Sequence, residues 1–231
     1  MAQYEMRREG AAMRGEGATA QTEFDVANPA PLGMGAFAFT TAVLSCVYAG
    51  FIVPLGIGDL RTVVGAALFY GGIIQVLAGM WAFRRNNTML ATIFSSYGGF
   101  LVALGAIFIP FLGFFTITGI AGLLSPILGL FFLCWTIFTA MLVVGSLRTN
   151  IALLATLVLL FLSYLFLTIG QLAHFNTALL HIGGWLGIIC ALVAWYTCFA
   201  YMLAGEGGIF RLPLGHAGAF ERERGVEAHG I

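Results

Sequence analysis

Charged side chains are almost absent from the central part of this sequence. Lysine does not occur at all, and charged residues make up only 9% of the 231 positions. None lies between residues 86 and 147 or between residues 149 and 205. A soluble domain is usually about a quarter charged, so this composition, with 60% hydrophobic residues, excludes an ordinary soluble domain. The formal net charge of zero also gives no indication of nucleic-acid binding.

Residue groups that would form a reactive centre are missing as well. The four cysteines have no pairing or metal-ligand spacing, and they are expected to pack as small apolar residues. No catalytic nucleophile arrangement is recognisable, and the glycines near Gly71 lie within an apolar segment rather than in a phosphate-binding loop. We therefore expect no enzymatic activity, no cofactor and no metal site.

Six apolar segments fill the centre of the chain. They lie near residues 34–54, 61–83, 89–112, 123–147, 151–173 and 179–204, and each has the roughly 20 residues that cross a bilayer. Backbone in lipid must form its hydrogen bonds internally, and the alternation of a strand barrel is absent. The sequence predicts an all-α membrane protein, a six-helix transmembrane bundle over residues 28–205. A mobile tail, residues 1–27, precedes it and a second tail, residues 206–231, follows it.

The arginines predict the orientation. Nine of the ten lie before helix 1 or after helices 2, 4 and 6, and only Arg61 lies on the opposite side. Positively charged loops remain in the cytoplasm. We therefore expect both termini to be cytoplasmic, in a multi-pass protein of the cytoplasmic (inner) cell membrane.

Residues 28–41, NPAPLGMGAFAFTT, connect a polar lead-in to the first apolar segment. Pro29 and Pro31 fix φ and favour extended geometry in the residues before them, Asn28 and Ala30. The helix is then expected to begin near Leu32 or Gly33. Asn28 carries both a donor and an acceptor, so it is a candidate for contact with a polar solute at a pore mouth. The alternative is a stiff turn in which Asn28 caps the helix.

This motif and three later segments occur in an order that resembles the acetate uptake transporter family. The later segments are FYGGIIQVLAG (69–79), NTMLATIFSSYGGF (87–100) and HIGGWLGIICA (181–191). The resemblance implies transport of acetate and other short carboxylates such as succinate. It also implies a homo-hexamer in which each protomer has its own pore.

The resemblance further implies a narrow neck formed by Phe37, Tyr97 and Leu160. Leu160 rests on ungapped counting from Gly145, and Leu159 or Phe161 remain alternatives. Polar residues of the same motifs are candidates for contact with the solute. They are Asn28, Thr40, Thr41, Tyr70, Gln75 and Ser96. The alternative for each hydroxyl is a hydrogen bond back to its own helix.

The chemistry of the apolar segments fits a weak acid. They contain neither the carboxylates nor the carbonyl filter that a strongly hydrated metal ion needs. A simple carboxylic acid has a pKa of about 4.3, so at pH 7 roughly one molecule in several hundred is neutral. Hydroxyl and amide donors can hold a carboxylate, while an apolar neck disfavours the naked anion. Proton symport and channel-like passage both remain open.

Two other functions remain as alternatives. A haem-binding electron-transfer subunit needs histidines that face each other inside the bundle, but His174 and His181 lie on the same side of the membrane. A membrane scaffold without transport activity is the second. Two stripes of small residues could bring helices together: Gly65, Gly72 and Gly79, and Gly183, Gly187 and Ala191. At least one should pack within the subunit, and the other could join subunits.

Overall fold

The computed structural model describes residues 26–51, 61–109, 121–205 and 212–215. In these ranges the chain forms six long helices and no strand. They are α1 (Ala30–Ala49), α2 (Ala66–Arg84), α3 (Thr88–Ile107), α4 (Ala121–Ser146), α5 (Ile151–Leu172) and α6 (Thr177–Gly205). All six are long and apolar enough to span a membrane, which confirms the predicted all-α, six-helix architecture. Most of both predicted tails lies outside the described residues.

The start of α1 differs from the prediction. Pro29 already has helical backbone angles, and the helix begins at Ala30 rather than at Leu32 or Gly33. The expectation that Ala30 is extended is therefore wrong. Pro31 is tolerated because the N–H groups of the first helical turn have no partner within the helix. Asn28 accepts a hydrogen bond from the Ala30 N–H at 3.1 Å, as the capping alternative proposed.

The end of α1 is set by Gly50, several residues before the predicted boundary at residue 54. Gly50 has a left-handed backbone with φ of 63°, and its N–H donates to the carbonyls of Cys46 and Val47. A glycine reaches this conformation at no steric cost, and it satisfies the last carbonyls of the helix. Two other boundaries also differ: α2 begins at Ala66 rather than near residue 61, and α3 ends at Ile107 rather than near residue 112. The remaining boundaries of α2 to α6 lie close to the predicted ones.

A π-helical segment forms the first half of α2. Ala66–Ile74 is π-helical, and an ordinary α-helix follows over Gln75–Arg84. The Thr40 hydroxyl of α1 donates to the carbonyl of Ala66 at 3.3 Å. A side chain on Gly71 would collide with Thr40 and with Leu101 of α3. The glycine therefore allows three helices to approach closely at this segment.

The six helices pack as a ring in which one neighbouring pair, α3 and α4, makes few contacts. α1 makes its most extensive contacts with α6, α5 packs between α6 and α4, and α2 packs against α3 and α1. The backbones of α3 and α4 scarcely meet. Aromatic side chains make the contact between α3 and α4. The ring centroids of Phe100 and Trp135 are 4.9 Å apart, and those of Phe100 and Phe131 are 5.4 Å apart.

The small-residue stripes pack largely within the subunit. Gly79 lies against α3, and Gly183 and Gly187 lie against side chains and backbone of α1 and α5. Only open space surrounds Gly65. The predicted intramolecular role is thus confirmed for both stripes over most of their length.

Candidate functional site

A small cavity lies between α1, α3 and α5. Its volume is about 10 Å³, room for the centre of about one water molecule. The lining residues carry no formal charge. They are Phe37, Thr41, Leu44, Ser45, Tyr97, Phe100, Leu101, Leu160, Ser163, Tyr164 and Leu167.

The structure brings the three predicted neck residues together at this cavity. Phe37 and Tyr97 have ring centroids 5.8 Å apart, and both rings are buried. Leu160 is also buried and lines the cavity, whereas Leu159 and Phe161 are half-buried and lie outside the lining. Three helices, α1, α3 and α5, thus each contribute one of these side chains.

Hydrogen bonds hold Tyr97 in place. Its hydroxyl lies 2.9 Å from the Thr139 hydroxyl, and Thr139 also donates to the carbonyl of Trp135. Thr139 therefore accepts from Tyr97, which directs the phenol away from α1 and towards α4. The Tyr97 ring additionally contacts the rings of Tyr164 and Phe138, at centroid distances of 6.5 and 6.3 Å. The Tyr97 side chain is consequently held in position by contacts with α4.

Hydroxyl groups line the cavity beside the apolar side chains. Thr41 is the one predicted solute-contacting residue among the lining side chains, while Ser45, Ser163 and Tyr164 were not selected from the sequence. Ser163 donates to the Gly183 carbonyl at 2.8 Å. Helical spacing could have identified two of the lining residues from the sequence, because Thr41 follows Phe37 by one turn and Tyr164 follows Leu160 by one turn.

Three predicted candidates lie outside the cavity lining, around α2 and α3. Thr40 is fully buried and turned towards α2, where it donates to Ala66. Tyr70 is on the outer surface, with its ring edge-on to Phe39 at a centroid distance of 5.7 Å. Ser96 is half-buried.

Gln75 is the most unusual of the predicted candidates. It directly follows the π-helical segment and is fully buried, yet within the described part of the chain neither its amide oxygen nor its amide nitrogen has a hydrogen-bond partner. The Ser95 hydroxyl of α3 is likewise buried without a partner. Buried polar groups are nearly always paired with protein or ordered water.

Asn28 lies in an open groove at the start of α1. The groove is also lined by Arg85 and Tyr201, and the Arg85 guanidinium donates to the carbonyl of Val26. Asn150 caps α5 and donates to the Tyr201 hydroxyl at 2.7 Å. Asn28 is thus exposed at the helix ends that carry Arg84 and Arg85, far along α1 from the cavity.

The fold and the uncharged cavity define the class of this molecule: it is a multi-pass helical membrane protein. The chain belongs to the GPR1/FUN34/yaaH family, whose sequence profile matches residues 10–217. The family resemblance inferred from the four motifs is thereby confirmed.

Three relatives and one solved structure have transport functions in their names. The chain is 36% identical over 202 residues to acetate permease A of Emericella nidulans, covering 82% of this chain and 66% of the permease. It is 35% identical over 193 residues to the succinate-acetate/proton symporter SatP of Escherichia coli K12, covering 83% and 97%. It is 38% identical over 178 residues to ammonia transport outward protein 2 of Saccharomyces cerevisiae, covering 75% and 61%.

The solved structure of the bacterial acetate channel SatP has a TM-score of 0.72 to this chain at 33% identity. The superposition covers 83% of this chain and 100% of that one. The chain spans about 60 to 66% of the length of the fungal relatives and nearly all of the bacterial symporter.

Proposed function

We propose that this protein carries acetate and other short carboxylates, succinate among them, across the cytoplasmic membrane. The observation that supports this most strongly is the uncharged cavity where Phe37, Tyr97 and Leu160 meet. The relatives named for acetate and succinate transport give independent support. The pathway would run through the centre of each subunit, with these three side chains as its neck.

The neck would select solutes by both their size and their charge. The cavity holds about one water molecule, so the passage of acetate, which is larger, requires the neck to widen. An apolar constriction makes a bare carboxylate costly, and the hydroxyls of Thr41 and Ser45 reduce this cost on one side. The remaining polar candidates, Asn28, Thr40, Tyr70, Gln75 and Ser96, would guide the solute to and from the neck.

The assembly and orientation belong to the same proposal. We infer a homo-hexamer with both termini in the cytoplasm. The exposed apolar side chains on α2, α4 and α6 leave ample surface for lipid and neighbouring subunits, and the arginine distribution supports the orientation.

Radiolabelled flux into proteoliposomes tests the function. Acetic acid also crosses plain bilayers, so the assay is best run at pH 8, where the neutral acid is about ten times rarer than at pH 7. Succinate, with two carboxylates, provides a second substrate with a lower background. We expect both to enter faster than into protein-free vesicles. A rate that depends on an imposed pH gradient would indicate proton coupling, and an independent rate would indicate a channel.

Each of three outcomes would favour a different function. Carboxylate flux equal to that of empty vesicles would favour the membrane scaffold. Uptake of methylammonium without carboxylate uptake would favour the activity for which the yeast ammonia relative is named. A Soret band in the absorption spectrum of the purified protein would instead support the haem-binding alternative.

A further inference from the structure

A buried polar cluster lies one turn beyond the cavity, at the end of the bundle where α5 and α6 are joined. It consists of Tyr48 on α1, Gln171 on α5 and Ser125 on α4. Tyr48 and Gln171 are fully buried, and Ser125 is nearly so. The Ser125 hydroxyl donates to the side-chain and backbone oxygens of Gln171, at 2.6 and 2.8 Å. The Gln171 amide nitrogen reaches the Tyr48 hydroxyl at 3.4 Å.

This cluster continues the two faces that line the cavity. On α1 the buried face runs through Phe37, Thr41, Leu44 and Tyr48. On α5 the corresponding face, with the same spacing, runs through Leu160, Tyr164, Leu167 and Gln171. The first three residues of each series line the cavity. The fourth residues of the two series, Tyr48 and Gln171, are joined by a hydrogen bond. Any solute that leaves the neck along these faces must therefore meet Tyr48 and Gln171.

The hydrogen bonding of the cluster leaves donors free. A distance of 3.4 Å is longer than the usual 2.7 to 3.2 Å of a protein hydrogen bond. Among the described residues, the hydrogen of the Tyr48 hydroxyl has no acceptor, and neither does the second hydrogen of the Gln171 amide. Two neighbouring donors in a buried, uncharged place suit a group that only accepts, and a carboxylate is such a group. Hydrogen bonds to a charged acceptor are also shorter and stronger than neutral ones.

We propose that Tyr48 and Gln171 form a carboxylate-binding station beyond the neck, at which both side chains donate to the solute. The proposal rests on the transport function proposed above and adds the residues that distinguish a carboxylate from a neutral molecule of the same size. The solute replaces the long contact between Tyr48 and Gln171.

Ser125 and Phe132 act as positioning residues for the station. Ser125 holds the Gln171 amide from the side away from Tyr48. The ring of Phe132 packs edge-on to Tyr48 at a centroid distance of 6.0 Å. Both contacts come from α4, so they fix the donors without occupying the space between α1 and α5.

Selectivity between two solutes of equal size tests the station. Acetate and acetamide have nearly the same shape, but acetamide carries no charge. Initial rates of both are measured in proteoliposomes with the wild-type protein, Tyr48→Phe and Gln171→Leu. We expect the acetate-to-acetamide ratio to fall about tenfold in each variant, because a hydrogen bond to the charged solute is lost. Tyr196→Phe is the matched control, since it removes the same atom from a surface tyrosine that donates to the Pro213 carbonyl.

The outcomes separate this inference from the proposed function. An unchanged ratio in Tyr48→Phe and Gln171→Leu, with acetate flux intact in the wild type, would overturn the station alone. A purely structural cluster would alter both rates together and leave the ratio unchanged. Absence of acetate flux in the wild type would overturn the proposed function and the station with it. Tyr48→Phe keeps the ring that contacts Phe132, so it remains informative even if Gln171→Leu does not fold.

Discussion

Single residues of α1 illustrate how two neighbouring positions can have opposite surroundings. Phe37 is 5% exposed and lines the cavity, whereas Phe39 is 43% exposed and packs against Tyr70 on the outer surface. The two residues have the same chemistry and lie on the same helix. Only the direction of the side chain distinguishes the cavity-lining residue from the surface residue.

The pair provides a controlled test of the neck. Phe37→Ala removes a ring from the cavity wall, so it should widen the constriction. We expect succinate flux to rise relative to acetate flux, by several-fold. Phe39→Ala, which removes the same ring from the outer surface, should leave the ratio unchanged. Equal ratios in both variants, measured in proteoliposomes, would contradict the neck assignment.

The two buried glutamines differ in their hydrogen bonding, and this predicts opposite effects on stability. Among the described residues the Gln75 amide has no hydrogen-bond partner, while the Gln171 amide has two, the hydroxyls of Ser125 and Tyr48. An unsatisfied buried polar group costs about 1–3 kcal/mol. Gln75→Leu should therefore raise the melting temperature in detergent, and Gln171→Leu should lower it.

Transport measurements then assign a role to the Gln75 amide. If it contacts the solute, Gln75→Leu lowers carboxylate flux while it stabilises the protein, the usual trade-off at a functional position. A melting temperature below that of the wild type would instead indicate that ordered water satisfies the amide.

At the scale of elements, α2 and α3 pack closely beside the π-helical segment. A Cβ atom on Gly98 would lie 2.9 Å from both the Gly72 carbonyl oxygen and the Val76 nitrogen, which are backbone atoms that cannot move aside alone. The next residue, Gly99, has nothing within 4 Å of that position. Adjacent glycines on one helix thus differ completely in their packing.

This difference predicts the effect of two matched substitutions. Gly98→Ala should separate α2 from α3 and cost about 1–3 kcal/mol, as overpacking usually does. Gly99→Ala should be neutral or slightly stabilising, because alanine is the better helix former. Thermal unfolding in detergent measures both. A loss of stability in Gly99→Ala as large as in Gly98→Ala would contradict the close contact.

The same elements show which features the sequence could predict. The six apolar runs and the asparagine caps, Asn87 and Asn150, are local signals, and α3 and α5 begin within a residue of their predicted starts. The π-helix could not be predicted, because its stability depends on contacts of Gly71 and Ala66 with α1 and α3. Gly50 could have indicated the early end of α1. The apolar residues that follow it led to the predicted boundary at residue 54 instead.

For the whole molecule, the arginine distribution predicts the orientation. A green fluorescent protein fused to the carboxyl end should fluoresce, because it folds in the cytoplasm, and alkaline phosphatase fused there should be inactive. The positive-inside rule provides the physical reason. Active phosphatase at the carboxyl end would contradict the predicted topology.

The proposed hexamer can be tested independently of transport. Native mass spectrometry of the detergent-solubilised protein should give six copies of the 24.7 kDa chain. A monomer over a range of mild detergents would contradict the assembly.

The sequence by itself determined the membrane class, the number of helices, the family and the three residues that meet at the cavity. The class and the number of helices follow from local composition. The family and the three residues were inferred from the resemblance carried by four motifs, with Leu160 placed by counting from Gly145. The tertiary structure decided which polar residues share a buried surface with them. It placed Ser45, Ser163 and Tyr164 at the cavity and joined Tyr48 to Gln171, but turned Thr40 and Tyr70 elsewhere. The physical reason is that helices apolar on all sides carry little periodic signal, so only packing against neighbours shows which face points inward.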